Sequence, residues 1–143
     1  MREFSNDSSS NTFFLARPRR FGKSILVDTM FEFFRGNQIL FKNTYIGKHH
    51  PEPWPTYPII RLKFSSIESR TVEKFETSFI KRLNEQAWSN GIQLNDTTNI
   101  KDATIELIRG VSKKNGSTVV ILVDEYDSPV SYTHLTLPTI YSV

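Results

Sequence analysis

The segment from Thr12 to Phe34 constrains the fold most, because an apolar run, a short basic turn and a second apolar run follow one another directly. The run 12–16 predicts a buried strand, and the run 25–34 predicts a helix that ends near Gly36, a favourable C-terminal cap. Between the two runs lies the turn Arg17-Pro18-Arg19-Arg20-Phe21-Gly22-Lys23-Ser24. A strand, a tight turn ending in Gly-Lys-Ser and a helix are together typical of a loop that binds phosphate groups.

The chemistry of this turn depends on where its last residues meet the helix. Backbone N–H groups at a helix N-terminus and the positive end of the helix dipole both favour a bound anion. We expect Lys23 to contact the β- and γ-phosphates of a nucleotide and the Ser24 hydroxyl to ligate Mg2+. The usual loop begins with glycine, which turns without a Cβ penalty, whereas this chain has Arg17 at that position. The residues alone leave open the alternative of an exposed basic turn before an amphipathic helix.

A second motif follows the continuous apolar run 118–123, which is typical of a strand buried on both faces of a parallel sheet. The run leads into Asp124 and Glu125, at the carboxyl end where an open α/β sheet binds its ligand. We expect Asp124 to hold Mg2+, directly or through water, and Glu125 to orient or deprotonate an attacking water. An acidic turn after a strand is the alternative, but parallel topology would bring both motifs to the same edge of the sheet.

Three further elements connect the two motifs. The alternation in 57–64 predicts a strand, and apolar residues at three- and four-residue steps predict helices over about 70–90 and 100–114. The segment 37–56 is expected to be irregular, because its last part is rich in proline, with His49 and His50 in a surface loop rather than a metal site. The order strand, helix, strand, helix, helix, strand predicts an α/β fold with a parallel sheet and helices on its faces.

The composition excludes several classes of protein. The 143 residues fit one domain, and the absence of cysteine excludes disulfides and thiolate metal sites. No apolar run reaches the roughly 18 residues of a membrane span, and residues 1–7 lack the apolar core of a signal peptide. These features predict a cytoplasmic protein without a membrane partner. The net charge of +3 is modest, although the arginines of the turn cluster in a way that suits a polyphosphate or a nucleic-acid backbone.

Three phrases of the sequence resemble one known family. They are Phe-Leu-Ala-Arg-Pro-Arg-Arg-Phe-Gly-Lys-Ser, Tyr-Pro-Ile-Ile-Arg-Leu-Lys-Phe-Ser and Val-Val-Ile-Leu-Val-Asp-Glu-Tyr-Asp-Ser-Pro, which are similar to motifs of the AAA-ATPase-like family of bacterial P-loop ATPases. The resemblance covers about residues 12–129, and members of that family typically carry arginine where the usual loop has its first glycine. It implies a P-loop NTPase fold, a three-layer αβα arrangement around a parallel sheet.

The resemblance also implies cofactors and residue roles. ATP and Mg2+ would be bound by the loop from Arg17 to Ser24, with Lys23 as the phosphate contact and Ser24 as a Mg2+ ligand. Asp124 would be the Mg2+ acid and Glu125 the hydrolytic base. Many members have a C-terminal restriction-endonuclease-like domain, which implies a nucleic-acid partner through a region that this chain lacks.

Family members are several times longer, and the composition changes towards the end of this chain. Residues 128–143 contain no Asp, Glu, Lys or Arg, and 130–139 resembles the in-frame translation of a transposon-derived sequencing adapter. We therefore expect a partial P-loop ATPase domain at 1–129 and a non-native, adapter-derived tail at 130–143. In such ATPases the strand that follows the Asp-Glu motif lies between the Asp-Glu strand and the loop strand, and it is then missing. Because a gap in the sheet exposes unpaired backbone groups, we expect this fragment to be inactive and unstable or prone to aggregation.

Three functions are compatible with these patterns. The first is ATP binding and Mg2+-dependent ATP hydrolysis by a P-loop ATPase module that is incomplete in this chain. The alternative is a nucleotide-sensing or nucleic-acid-associated interaction protein with little or no hydrolysis, which could dispense with Glu125. A phosphotransferase is a third, but consecutive acids favour water over an acceptor hydroxyl as the nucleophile.

Overall fold

The structure, a computed structural model, describes residues 12, 22–50, 53–54, 56–68 and 70–125. Most of the predicted strand 12–16, the turn residues 17–21, and the segment 126–143 with the predicted tail lie outside this part of the chain. In chain order the described elements are α1 (Lys23–Phe34), a 3-10 helix (Gln38–Phe41), α2 (Tyr45–His49), β1 (Ile59–Lys63), a second 3-10 helix (Phe64–Ser66), α3 (Val72–Ser89), α4 (Ile100–Asn115) and β2 (Val120–Asp124).

Strands β1 and β2 form a two-stranded parallel sheet, with Ile59 opposite Val120 and Lys63 opposite Asp124. Helices α3 and α4 form the connection between them, since parallel strands need a crossover of about a dozen residues or more. The α/β class predicted from the sequence is confirmed. Each predicted strand and helix within the described residues starts and ends within two residues of its observed bounds.

The two faces of the sheet pack against different helices, because alternate residues of a strand point to opposite faces. On one face, Ile60 and Leu62 of β1 join the buried side chains of α3 and α4. On the other face, Ile59 of β1 and Leu122 of β2 pack against Phe34 of α1. The described sheet therefore has helices on both faces. The largest fully buried side chains are Phe79, Ile60, Leu62, Leu83, Leu107 and Val111.

Helices α3 and α4 each begin after a residue whose side chain caps the helix, and residues of this type can be recognised in a sequence. Thr71 accepts a hydrogen bond from the N–H of Lys74 at the start of α3. Asn99, the residue before α4, accepts a hydrogen bond from the N–H of Asp102 at 2.8 Å. Such caps satisfy backbone donors that have no partner inside the helix. No described helix combines the length and the apolar character needed to cross a bilayer.

The segment 37–56 differs from the prediction, because it contains a 3-10 helix and α2. The ring of Phe41 is buried, and the rings of Phe33 and Trp54 pack against it, each with a centroid distance of 5.8 Å. His49 lies in α2 and His50 is its C-terminal cap, so neither is in the irregular loop that was expected. The aromatic contacts come from residues far apart in sequence, which explains why local patterns miss this packing.

The outer edge of β1 is closed by side chains of α3. Gln86 Oε1 accepts a hydrogen bond from the backbone N–H of Arg61 at 2.9 Å, and Asn90 Nδ2 donates to the carbonyl of Ile59 at 3.3 Å. On the opposite edge, the carbonyl of Pro58 accepts from the N–H of Val120 in β2. Because Gln86 and Asn90 occupy backbone groups that another strand would use, β1 is an edge strand of the described sheet, and a further strand is expected beside β2.

Candidate functional site

The carboxyl ends of both strands lie at one edge of the sheet, together with the start of α1. Asp124 is the last residue of β2 and is only 4% exposed. In the pairing of the two strands it lies opposite Lys63. Ser24, in the first turn of α1, donates a hydrogen bond from Oγ to Asp124 Oδ1 at 3.4 Å. These two residues are 100 positions apart in sequence. The structure thus brings together the two side chains that were predicted to hold Mg2+.

Gly22 sets the direction in which the chain enters α1. It is the N-cap residue, with φ of 80° and ψ of 21°, a left-handed conformation that glycine adopts without a Cβ penalty. Its carbonyl accepts the first helical hydrogen bond from the N–H of Leu26 at 3.0 Å. Since glycine has no side chain to cap the helix, the first-turn N–H groups of α1 receive no oxygen from the N-cap residue. This is the kind of helix start at which anions bind in proteins.

Glu125 follows β2 in a strained conformation. Among the described residues other than glycine, it alone has a positive φ, of 54°. Its N–H donates to Asp124 Oδ1 at 2.9 Å, which helps to hold the turn. Its Oε1 lies 3.9 Å from Nζ of Lys63, whereas Oε2 is buried and has no hydrogen-bond partner in the described part of the chain. Backbone strain and a buried carboxylate oxygen without a donor are both features that occur at functional sites.

The donor set suits a magnesium ion that shares its coordination with a substrate. Mg2+ in phosphate-binding sites usually has one or two protein oxygen ligands and takes the others from phosphate and water. Ser24 Oγ and the Asp124 carboxylate are two such oxygens in contact. Within the described ranges, no group of three or more His, Asp or Glu side chains could hold a metal ion by itself. The residues present therefore fit an ion bound together with phosphate rather than a purely protein-ligated metal.

The described part of the predicted site lies at this one edge. It comprises Gly22, Lys23, Ser24, Asp124 and Glu125. Lys23 is half-buried and is the first residue of α1, so the predicted turn ends inside the helix. The predicted contacts of the turn at 17–21 concern residues outside the described part of the chain, and they stay predictions.

Lys63 is a site residue that the sequence pattern did not indicate. It ends β1 and faces Glu125 across the end of the sheet. The sequence does contain a hint, because Lys63 is a charged residue at the carboxyl end of a predicted strand. In a parallel sheet that end lies at the same edge as Asp124 and Glu125. The pairing register of β1 and β2 was needed to use that signal.

Comparisons with known proteins agree with the sequence resemblance. The family model described as "Predicted AAA-ATPase" matches residues 5–141. The chain is also 39% identical over 131 residues to the "Uncharacterized protein in vnfD 5′region" of Azotobacter chroococcum mcd 1. That alignment covers 90% of this chain and 24% of the relative, so the chain spans about a quarter of the relative's length. No solved structure matches the chain. The family match extends over nearly the whole sequence, and the chain belongs to the predicted AAA-ATPase family.

Proposed function

We propose that the chain carries the nucleotide-binding edge of an ATPase, with ATP and Mg2+ bound between the start of α1 and the end of β2. The observation that carries this proposal is the contact between Ser24 Oγ and Asp124 Oδ1. In an ATPase of this type one hydroxyl and one acid must reach the same metal ion from separate motifs. If the basic turn and the acidic turn were only solvent-exposed loops, no contact between their side chains would be expected.

The phosphate groups would lie at the N-terminus of α1. Gly22 is the turn residue at the start of α1. The first-turn N–H groups and the positive end of the helix dipole both lie at this N-terminus, where the phosphate groups would bind. Lys23 would add a point charge on the β- and γ-phosphates. The residues 17–22 would form the wall of this loop, with Arg17 in the first position.

Ser24 and Asp124 would hold the metal ion. A buried carboxylate is costly unless it is paired, and Asp124 receives hydrogen bonds from Ser24 Oγ and from the N–H of Glu125. Mg2+, when bound here, would neutralise negative charge that develops on the phosphate oxygens. The hydrogen bond from Glu125 keeps Asp124 oriented towards α1.

Glu125 would act as the base for hydrolysis. The oxygen of a water molecule forms a bond to the γ-phosphorus, the bond between that phosphorus and the bridging oxygen breaks, and ADP leaves with the electron pair. The proton lost by the water goes to Glu125 Oε2, the carboxylate oxygen without a partner in the described part of the chain. The positive φ of Glu125 is the kind of backbone strain that is found at catalytic positions.

The fold supports the same proposal. Helices on both faces of a parallel sheet, with the ligand at the carboxyl ends of the strands, are the arrangement that a P-loop NTPase requires. The closed edge of β1 means that the strand preceding the loop would have to join on the side of β2. A three-layer P-loop fold with the loop strand beyond β2 satisfies that condition.

One observation favours the second candidate, a nucleotide-sensing or nucleic-acid-associated protein with little or no hydrolysis. Lys63 Nζ lies 3.9 Å from Glu125 Oε1, so the carboxylate has a cationic neighbour before any nucleotide is bound. The pair is partly exposed, and its attraction is therefore modest. Binding without turnover would follow if this contact held Glu125 away from the water.

The test is Mg2+-dependent binding of a fluorescent ATP analogue to the chain, with and without EDTA. We expect Lys23→Ala to weaken binding at least about 10-fold, since a charge-assisted phosphate contact is worth roughly 1.5–3 kcal/mol. We expect Glu125→Gln to bind at least as tightly as the unaltered chain. Lys81→Ala, a change of an exposed lysine on α3, is the matched control. Equal affinity of the unaltered chain and the Lys23 variant would refute nucleotide binding at this edge.

Hydrolysis is tested in a full-length member of the family with the counterpart variants. Loss of binding in the lysine variant and tight but unproductive binding in the glutamate variant support the ATPase. Binding that is normal in every protein, without turnover in any of them, supports the second candidate instead.

A further inference from the structure

We propose that the exposed side of residues 38–49, named here the 38–49 platform, binds single-stranded nucleic acid. The platform consists of the 3-10 helix Gln38–Phe41 and α2, and it follows the C-terminal end of α1. The proposed nucleotide site uses the N-terminal end of α1, so the two sites lie at opposite ends of that helix. The proposal is independent of whether the chain hydrolyses ATP.

The platform is held to the core by its inward side chains. Phe41 is 8% exposed and packs on the ring of Phe33, which also contacts the rings of His50 and Trp54. Thr44 caps α2 and donates from Oγ1 to the carbonyl of Phe41 at 2.7 Å. The backbone packs closely there, because a Cβ added at Gly47 would collide with that same carbonyl. The platform thus has internal support, and its outward side chains are not needed for it.

The outward side chains are unusually apolar and aromatic. Ile39 is 83% exposed, Leu40 is 60% exposed and Tyr45 is 71% exposed. The ring of Tyr45 stacks on the ring of His49, with centroids 4.1 Å apart and an angle of 21° between the planes. His49 is held in place because its Nδ1 lies 2.9 Å from the carbonyl oxygen of Tyr45. Exposed aromatic rings of this kind are platforms on which bases stack without sequence preference.

The charge of the platform selects an anionic partner. Residues 33–51 contain no Asp or Glu, and they include Arg35, Lys42 and Lys48. Arg35 pairs with Glu32 at 3.5 Å, whereas Lys42 and Lys48 are exposed and form no ion pair in the described part of the chain. The two lysines are each three residues from Tyr45 in sequence, and cations close to an exposed ring along the chain match a polymer that has both phosphates and bases. A purely acidic segment would use the lysines but would offer no aromatic face to Tyr45, and a lipid surface would need a longer continuous apolar face than these short helices present.

The experiment measures fluorescence anisotropy of a labelled oligothymidylate of about 20 nucleotides, longer than the roughly 4–16 nucleotides of one such site. It uses the monomeric fraction of the chain at about 50 mM and about 200 mM salt. We expect Tyr45→Ala to weaken binding about 10-fold and Tyr45→Phe to retain it, since stacking needs the ring alone. We expect the Lys42→Gln, Lys48→Gln double variant to reduce the salt slope by roughly 0.7 for each lysine.

The matched control replaces two exposed lysines on other helices, Lys81→Gln and Lys101→Gln, and should leave the affinity nearly unchanged. Excess ATP should not displace the oligonucleotide, because the platform is separate from the site at Lys23. Circular dichroism verifies that every variant is folded.

Several results would overturn the proposal. One is an unaltered chain that does not bind at the lower salt concentration. Others are equal loss in the control variant and complete displacement by ATP. Polyglutamate that binds as tightly as the oligonucleotide would point to an acidic protein partner, and binding to anionic vesicles alone would point to a lipid surface.

Discussion

Glu125 shows how a single residue links backbone conformation to chemistry. Its φ of 54° is costly for any residue with a Cβ, and nothing in the packing of β2 requires a side chain with a carboxylate there. Asp124 accepts the N–H of Glu125, so the turn is held by the acid that would bind Mg2+. Strain that is retained at such a position is consistent with selection for function over stability.

The strain predicts that Glu125→Gly stabilises the chain. Relief of about 1–2 kcal/mol of left-handed strain is offset in part by about 0.5–1 kcal/mol of glycine entropy in the unfolded state. We expect a net gain of roughly 0.5–1 kcal/mol in the free energy of unfolding, measured by urea denaturation. Glu125→Gln keeps the Cβ and should show no gain, so a similar gain in both variants would assign the effect to the charge instead.

Glu106 of α4 accepts hydrogen bonds from the backbone of the loop that precedes the helix. The backbone N–H of Asn95, and then that of Asp96, donate to its carboxylate and hold the pKa of Glu106 below its usual 4.5. The hydroxyl and then the N–H of Thr98 likewise lower the pKa of Asp96 below its usual 3.8. A lowered folded pKa contributes stability that is complete above the unfolded value and lost as pH falls through the folded value.

We therefore expect the urea midpoint to fall as pH decreases below about 4.5, the unfolded value for Glu106. Glu106→Gln should reduce this dependence, because it removes a carboxylate whose charged form is stabilised by the fold. Glu76→Gln, on the exposed side of α3, serves as the control. A midpoint with the same pH dependence in the Glu106 variant would contradict the assigned role of the loop contacts.

Helices α3 and α4 show that elements with clear caps and periodicity form as their sequences indicate. Helix α3 begins after Thr71 and buries Phe75, Phe79, Leu83 and Ala87 on one stripe, at steps of four residues. Its polar residues Gln86 and Asn90 also close the edge of β1, which periodicity does not reveal. Helix α3 thus contributes side chains both to the hydrophobic core and to the protection of the β1 edge.

The stripe predicts that Leu83→Ala lowers the free energy of unfolding by about 2–5 kcal/mol, since Leu83 is fully buried. The neighbouring exposed residue provides the comparison, because Asn84→Ala should change stability by less than about 0.5 kcal/mol. Urea denaturation of both variants measures the difference. Similar losses in the two variants would show that α3 is not packed as described.

The part of the molecule that the structure describes is a small parallel sheet with helices on both faces. Because side chains of α3 occupy backbone groups on the outer edge of β1, we expect a further strand to join on the side of β2. The chain spans about a quarter of its curated relative's length.

At this scale we predict that the 143-residue chain by itself is unstable or aggregates in large part, so the binding and urea measurements use its folded monomeric fraction. Gel filtration and thermal denaturation followed by circular dichroism measure this. A chain that elutes wholly as a monomer and shows a cooperative thermal transition would contradict the prediction. The sequence of the coding DNA downstream of residue 129 tests the predicted adapter-derived tail, and a reading frame without the adapter would refute it; the family match to residue 141 overlaps that tail.

The sequence by itself determined the long helices, both described strands and the α/β class, since these depend on local periodicity, caps and apolar runs. It also identified Ser24, Asp124 and Glu125 as site candidates, because motif residues at strand and helix ends are local features. Only the tertiary structure decided that Ser24 reaches Asp124 and that Lys63 faces Glu125, since both contacts depend on pairing register and helix placement. The helical packing of 37–56 was likewise decided by aromatic contacts between distant residues, which no local pattern encodes.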